Sequence, residues 1–80
     1  MIISVKLFAV LKESLGEVVE IEVPEPVTVH QLLNRFGEDN PQFQAALPSL
    51  RVAVDQSYAN GDEPILAGQE VAIIPPVSGG

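Results

Sequence analysis

The stretch VTVHQLLNRFG, residues 27 to 37, constrains this chain more than any other. Thr28 has Gln31 three residues on, the pairing in which a cap hydroxyl and a side-chain amide satisfy the orphan N–H groups of a helix start. Val27 before the cap and Leu32 after it are placed as a hydrophobic staple. Val29, Leu32, Leu33 and Phe36 recur at i, i+3, i+4 and i+7, an apolar stripe on one side of a helix. Gly37 reads as the stop. Such a stripe has to be covered by a second layer, and the flanking segments say what that layer is.

Residues 2 to 10, IISVKLFAV, alternate as a half-buried strand does: Ile3, Val5, Leu7 and Ala9 share one face, Ser4, Lys6 and Phe8 the other. Residues 17 to 23 alternate again, with Val19, Ile21 and Val23 inward and Glu20 and Glu22 outward, so the two pair antiparallel. Between them Leu11 and Leu15 stand four apart before Gly16, which predicts one helical turn over 11–16 with a glycine stop. A second, weaker helical segment is expected from Pro41 to Leu47. RVAVDQSYA (51–59) reads as two short strands around a turn at Asp55 and Gln56, with Val52 and Val54 inward. Asn60–Asp62 is a turn, and EVAII (70–74) is the last strand before Pro75. A hairpin, a long helix and two or three further strands give an α+β fold in the β-grasp order. Its mixed sheet of four to five strands is packed on one main helix.

Composition removes whole classes of chemistry. There is no cysteine and one histidine, which argues against disulfides, thiol catalysis and a metal site, so no metal ligands are assigned. His30 reads as a surface or half-buried structural residue. Eleven acidic against four basic residues, a net charge of −7, disfavour nucleic acid and anionic membrane as partners. No stretch is long enough to span a bilayer and no convincing signal peptide opens the chain, so a cytoplasmic location is expected. No glycine-rich phosphate loop or paired catalytic carboxylates appear. With no internal repeat or linker, residues 1–80 read as a single domain with a flexible C-terminal tail at 75–80.

The tail, PPVSGG, carries the chemistry. Pro75 and Pro76 hold the chain extended and deny it ladder bonds, so the end projects. Val77 and Ser78 suit a shallow groove, and Gly79 and Gly80 let a terminal carboxylate enter a slot that a Cβ would block. A carboxylate is a poor acyl donor until ATP turns it into an acyl-adenylate. A sulfur nucleophile then displaces AMP and leaves a thiocarboxylate at the tip of an arm. A chain without cysteine has no thiol of its own to divert that sulfur.

With VKLFAVLKESLG, TVHQLL, VAVDQSYA and LAGQEVAIIPPVSGG in place, the sequence resembles a known family along nearly its whole length. It is similar to the small, sulfur-carrier subunits of molybdopterin synthase, the MoaD/ThiS-type ubiquitin-like proteins. It departs at Asp55 and Gln69, where members often carry Asn and Asp. The resemblance implies a non-catalytic subunit of a sulfurtransferase complex. In it Gly80 is adenylated by a ubiquitin-activating-like adenylyltransferase and receives sulfur from a donor enzyme. ATP is consumed by the activating enzyme and no cofactor is bound permanently. The sulfur then passes to cyclic pyranopterin monophosphate in molybdenum cofactor biosynthesis. The partner implied is a large catalytic subunit in a heterotetramer, its channel threaded by Pro75, Pro76, Val77, Ser78, Gly79 and Gly80.

Two further expectations concern docking and rivals. The strand face carrying Ser4, Lys6 and Phe8 should lie opposite the helix, and either Ala72 and Ile74 or Val71 and Ile73 must face outward with it. Phe8 and Ile74 then form an apolar patch at the tail root, unless the 11–16 loop covers Phe8. The rival readings are a carrier serving thiazole or cysteine synthesis, a protein modifier conjugated through Gly80, and an inert binding module.

Overall fold

The computed structural model describes residues 1–76. The alternating segments at the start form the expected hairpin: β1 (Ile2–Leu7) pairs antiparallel with β2 (Val18–Glu22), Ile3 opposite Ile21 and Val5 opposite Val19. Ile3, Val5, Leu7, Ile21 and Val23 are buried. The connection differs from expectation. β1 stops at Leu7, and a helix α1 (Ala9–Leu15) replaces the single turn over 11–16, so Ala9 is exposed and not on the inward face. Ala9 takes the left-handed φ of 52°, which swings the chain out of the sheet. That conformation costs a non-glycine residue about 1 kcal/mol. It lets Leu11 fall into the core at 1% exposure, and burying a leucine contributes about 2 kcal/mol. Burial wins. Gly16 ends α1 as expected, at φ 97°, its N–H donating to the Lys12 carbonyl at 2.8 Å.

Helix α2 (Val29–Asp39) begins as its sequence dictates. The Thr28 Oγ1 accepts from the Gln31 N–H at 3.2 Å, and the Gln31 Oε1 accepts from the Thr28 N–H at 2.8 Å. Val29, Leu32 and Phe36 are buried on the sheet and Leu33 is half-buried. Gly37 does not end the helix, which runs on to Asp39. Gly37 is buried, and a Cβ there would lie 2.6 Å from Leu47 Cδ1. Its bareness lets the following 3-10 helix, Pro41–Ser49, lie close against α2. This is the weaker helical segment, two residues longer than expected, with Phe43 stacked on Phe36 at 6.1 Å between ring centroids. The stop comes from Asn40, whose N–H and Nδ2 both donate to the Phe36 carbonyl at 3.0 Å, with Pro41 next.

The remaining strands are β3 (Val27–Thr28), β4 (Arg51–Val54), β5 (Ser57–Tyr58), β6 (Pro64–Ile65) and β7 (Val71–Ile74). Five form one mixed sheet in the order β2-β1-β7-β4-β5, with β7 parallel to β1 and antiparallel to β4. Asp55 and Gln56 make the β4–β5 turn at φ 51° and 69°, the left-handed pair of a tight hairpin. β3 and β6 pair with each other as a separate two-stranded ladder, which no periodicity foretold. Asp55 and Gln69 are hydrogen-bond partners: Gln69 Nε2 donates to Asp55 Oδ2 at 3.1 Å. The other Asp55 oxygen accepts from the Glu70 N–H at 3.0 Å, tying the β4–β5 turn to the start of β7.

Candidate functional site: the outer sheet face and the tail root

The helix covers one face of the sheet. Val71 and Ile73 point into the core at 1% and 0% exposure, so Ala72 and Ile74 face outward, together with Ser4 and Lys6. Register then builds the site. Lys6 stands opposite Ala72, Ala72 opposite Ala53, and Ala53 opposite Tyr58, a row across four strands with two alanines in the middle. Small side chains on central strands between larger neighbours leave a shallow hollow of about 410 Å³. Its walls include Phe8, Ile74, Tyr58 and Glu70.

Phe8 follows Leu7, which pairs with Ile73 in the parallel ladder, so Phe8 and Ile74 come out at the same end. Phe8 is 45% exposed: α1 does not cover it. Tyr58 is exposed as well, with the Arg51 guanidinium over its ring at 5.1 Å from the centroid. Arg51 lies directly across from Ile74. Lys6 Nζ meets Glu70 Oε2 at 3.4 Å, and Lys12 Nζ meets Glu17 Oε1 at 3.3 Å. Both pairs are solvent-exposed, and such bridges hold little energy.

The chain leaves β7 at this end. Pro75 is buried against the body and Pro76 is exposed. Val77, Ser78, Gly79 and Gly80 lie outside the described residues. His30, on the opposite layer, is exposed and takes no part in the hollow; its backbone N–H donates to the Gly61 carbonyl at 2.8 Å. Glu20 and Glu22 stand on the outer face but at the other end, opposite Ser4 and Ile2. The sequence pattern had singled out Phe8 and Ile74 but not Ala53, Tyr58 or Arg51. Those join the site only through strand order, which alternation within one strand does not encode. Among the described residues no helix is long and apolar enough to cross a membrane.

A last strand threaded between the first and the fourth, one helix on one face and an open apolar hollow at the exit of that strand, define a ubiquitin-like β-grasp protein. Residues 5–80 match the ThiS family, and the chain belongs to it. A relative in Dictyostelium discoideum, the molybdopterin synthase sulfur carrier subunit, is 37% identical over 78 residues, covering 92% of this chain and 91% of its own length. The crystal structure of SAMP1, small archaeal modifier protein 1, from Haloferax volcanii superposes with a TM-score of 0.83 at 29% identity, over 100% of both chains. A chain in the complex of subunits 1 and 2 of the molybdopterin-converting factor from Helicobacter pylori shares the fold, at TM-score 0.67 and 22% identity over 100% of both chains.

Proposed function

We propose that this chain is the sulfur-carrier subunit of a molybdopterin synthase, a subunit that brings sulfur to a reaction catalysed elsewhere. The observation that carries the reading is the position of the tail root. A central strand, held on both edges, delivers the chain through buried Pro75 and exposed Pro76 beside an open apolar hollow. A partner that seats on the hollow receives whatever follows Pro76.

In this reading Gly80 is the working residue. Its carboxylate oxygen attacks the α-phosphorus of ATP on an adenylyltransferase, and pyrophosphate leaves. A sulfide-level nucleophile from a donor enzyme then attacks the carbonyl carbon, AMP leaves, and the terminus becomes a thiocarboxylate. Glycine leaves that carbonyl unhindered, and Gly79, Ser78 and Val77 thread a narrow channel of the large subunit, where the sulfur passes to cyclic pyranopterin monophosphate. Pro75 serves as the anchor of the arm and not as part of its free length. Phe8, Ile74 and Tyr58 seat on the large subunit, because apolar and aromatic groups around a desolvated hollow supply most interface energy. The named relative supports the sulfur-carrier role.

Intact mass of the protein purified from its own cells, before and after alkylation, tests this. A species heavier by one oxygen-to-sulfur exchange, and alkylated although the chain has no cysteine, is the expected result. A terminus that stays unmodified with ATP, activating enzyme and sulfur donor overturns the reading. The likeness to a small archaeal modifier protein favours one second reading, conjugation of Gly80 to lysines of other proteins. A ladder of higher-mass adducts on denaturing gels of cell extract would decide for it.

A further inference from the structure

Charge is not spread evenly over the outer face. Lys6 lines the hollow, Lys12 lines the adjoining cleft that shares Lys6 and Phe8, and Arg51 stands across from Ile74 at the foot of the tail: three of the four Lys and Arg in a chain of net charge −7. Lys6 and Lys12 are each engaged by a glutamate, whereas Arg51 lies over a ring. That difference matters chemically. An ammonium held by a carboxylate has its charge answered. A guanidinium stacked on an aromatic face is held in place by its plane, while the N–H groups around its rim stay available to an acceptor. Tyr58 thus favours this position of Arg51 without consuming its donors. The acids of this face that no lysine holds, Glu20 and Glu22, stand at the opposite end of β2.

We propose that Arg51 is a carboxylate-binding anchor of the docking face: the protein that fills the hollow presents an Asp or Glu side chain to the Arg51 guanidinium, beside the apolar group that meets Phe8 and Ile74. The inference rests on the carrier reading, in which that protein is the large subunit. A bidentate, planar pairing suits a carboxylate. A polyanion is disfavoured, because a molecule of net charge −7 repels extended negative charge, whereas one local carboxylate can meet Arg51 by itself. Arg51 stands across from Ile74, one residue before the prolines, so a bond there fixes how the carrier is rotated about its own arm. The apolar hollow supplies adhesion; Arg51 supplies orientation.

The test is association of the wild-type carrier and its variants with the large subunit from the same genome, followed kinetically at low and high salt. Arg51→Glu is expected to weaken binding about tenfold or more at low salt, with the deficit shrinking as salt rises. Arg51→Lys, which retains charge but loses the fork and the stacking, falls between. Glu22→Gln, at the far end of the face, stays within about twofold of wild type. An Asp or Glu of the large subunit changed to Arg should restore binding to Arg51→Glu. Should Arg51→Glu fold poorly by circular dichroism, Arg51→Gln gives the same readout with a smaller loss. Binding of a folded Arg51→Glu within about twofold of wild type overturns the inference and leaves the carrier reading intact. If the wild-type carrier itself fails to bind the large subunit, the carrier reading falls, and this inference with it.

Discussion

The two faces of one sheet are built from the same alternating strands and meet opposite fates. Inside, Val5, Leu7, Ile21, Val71 and Ile73 are at 2% exposure or less beneath Leu32 and Phe36 of α2, large groups meeting large groups. Outside, the middle of the sheet holds Ala53 and Ala72, and the larger side chains Phe8 and Tyr58 stand at the margin at 45% and 63% exposure. The inner face is filled by its own chain. The outer face is concave where it would otherwise be filled. Alternation decides that two faces exist, and residue size decides which of them is closed and which is left open.

That contrast can be broken or sharpened experimentally. The largest effect is expected from deleting Gly80: sulfur transfer by the reconstituted synthase should vanish, while the thermal midpoint stays that of the full chain. A deletion that retains activity would take the working group away from the tail. Next is Phe36→Ala, inside, which should cost about 3–5 kcal/mol in urea unfolding. Much of the stability of a domain this size is at stake, since native proteins keep only about 0.05–0.15 kcal/mol per residue. Phe8→Ala, outside, should do the reverse, weakening the complex with the large subunit by about 2 kcal/mol, roughly thirtyfold. Its unfolding free energy should shift by less than about 1 kcal/mol. If Phe8→Ala unfolds the protein and leaves binding alone, the two faces are not divided as described. The smallest effect belongs to Thr28→Ala, which removes the cap of the inner helix at a cost of about 1 kcal/mol and leaves partner affinity unchanged.

Where local rules decide, the sequence was readable. The Thr28–Gln31 capping box and the stripe from Val29 to Phe36 are short-range patterns, and both stand in the fold as expected. Gly37 was misread because a glycine after the last apolar residue usually ends a helix, whereas here the constraint is the approach of Leu47 from another element. The start of α1 was hidden because LFAV prolongs the apolar run of β1, and nothing local announces that Ala9 turns away. β3 and β6, at two residues each, are too short to show a period. At the site, Phe8 and Ile74 were legible because each lies on a strand whose alternation is clear. Arg51 and Tyr58 were not, since their nearness to Ile74 depends on β4 lying next to β7.

The place of β7 sets a schedule on the life of the molecule. β1 and β2 form one hairpin and β4 and β5 another, and within the sheet β7 alone joins them. Of the described strands it comes last in sequence. The two hairpins stay unjoined until it docks, and its pairing with β1 closes a loop of more than sixty residues (Val5 with Val71), the kind of long-range step that makes folding slow. Since Ile73 and Ile74 lie within that closing strand, Pro75 reaches its buried place at the edge of the hollow only when the sheet is complete. A chain in which β7 has not docked has neither the hollow nor a fixed exit beside it.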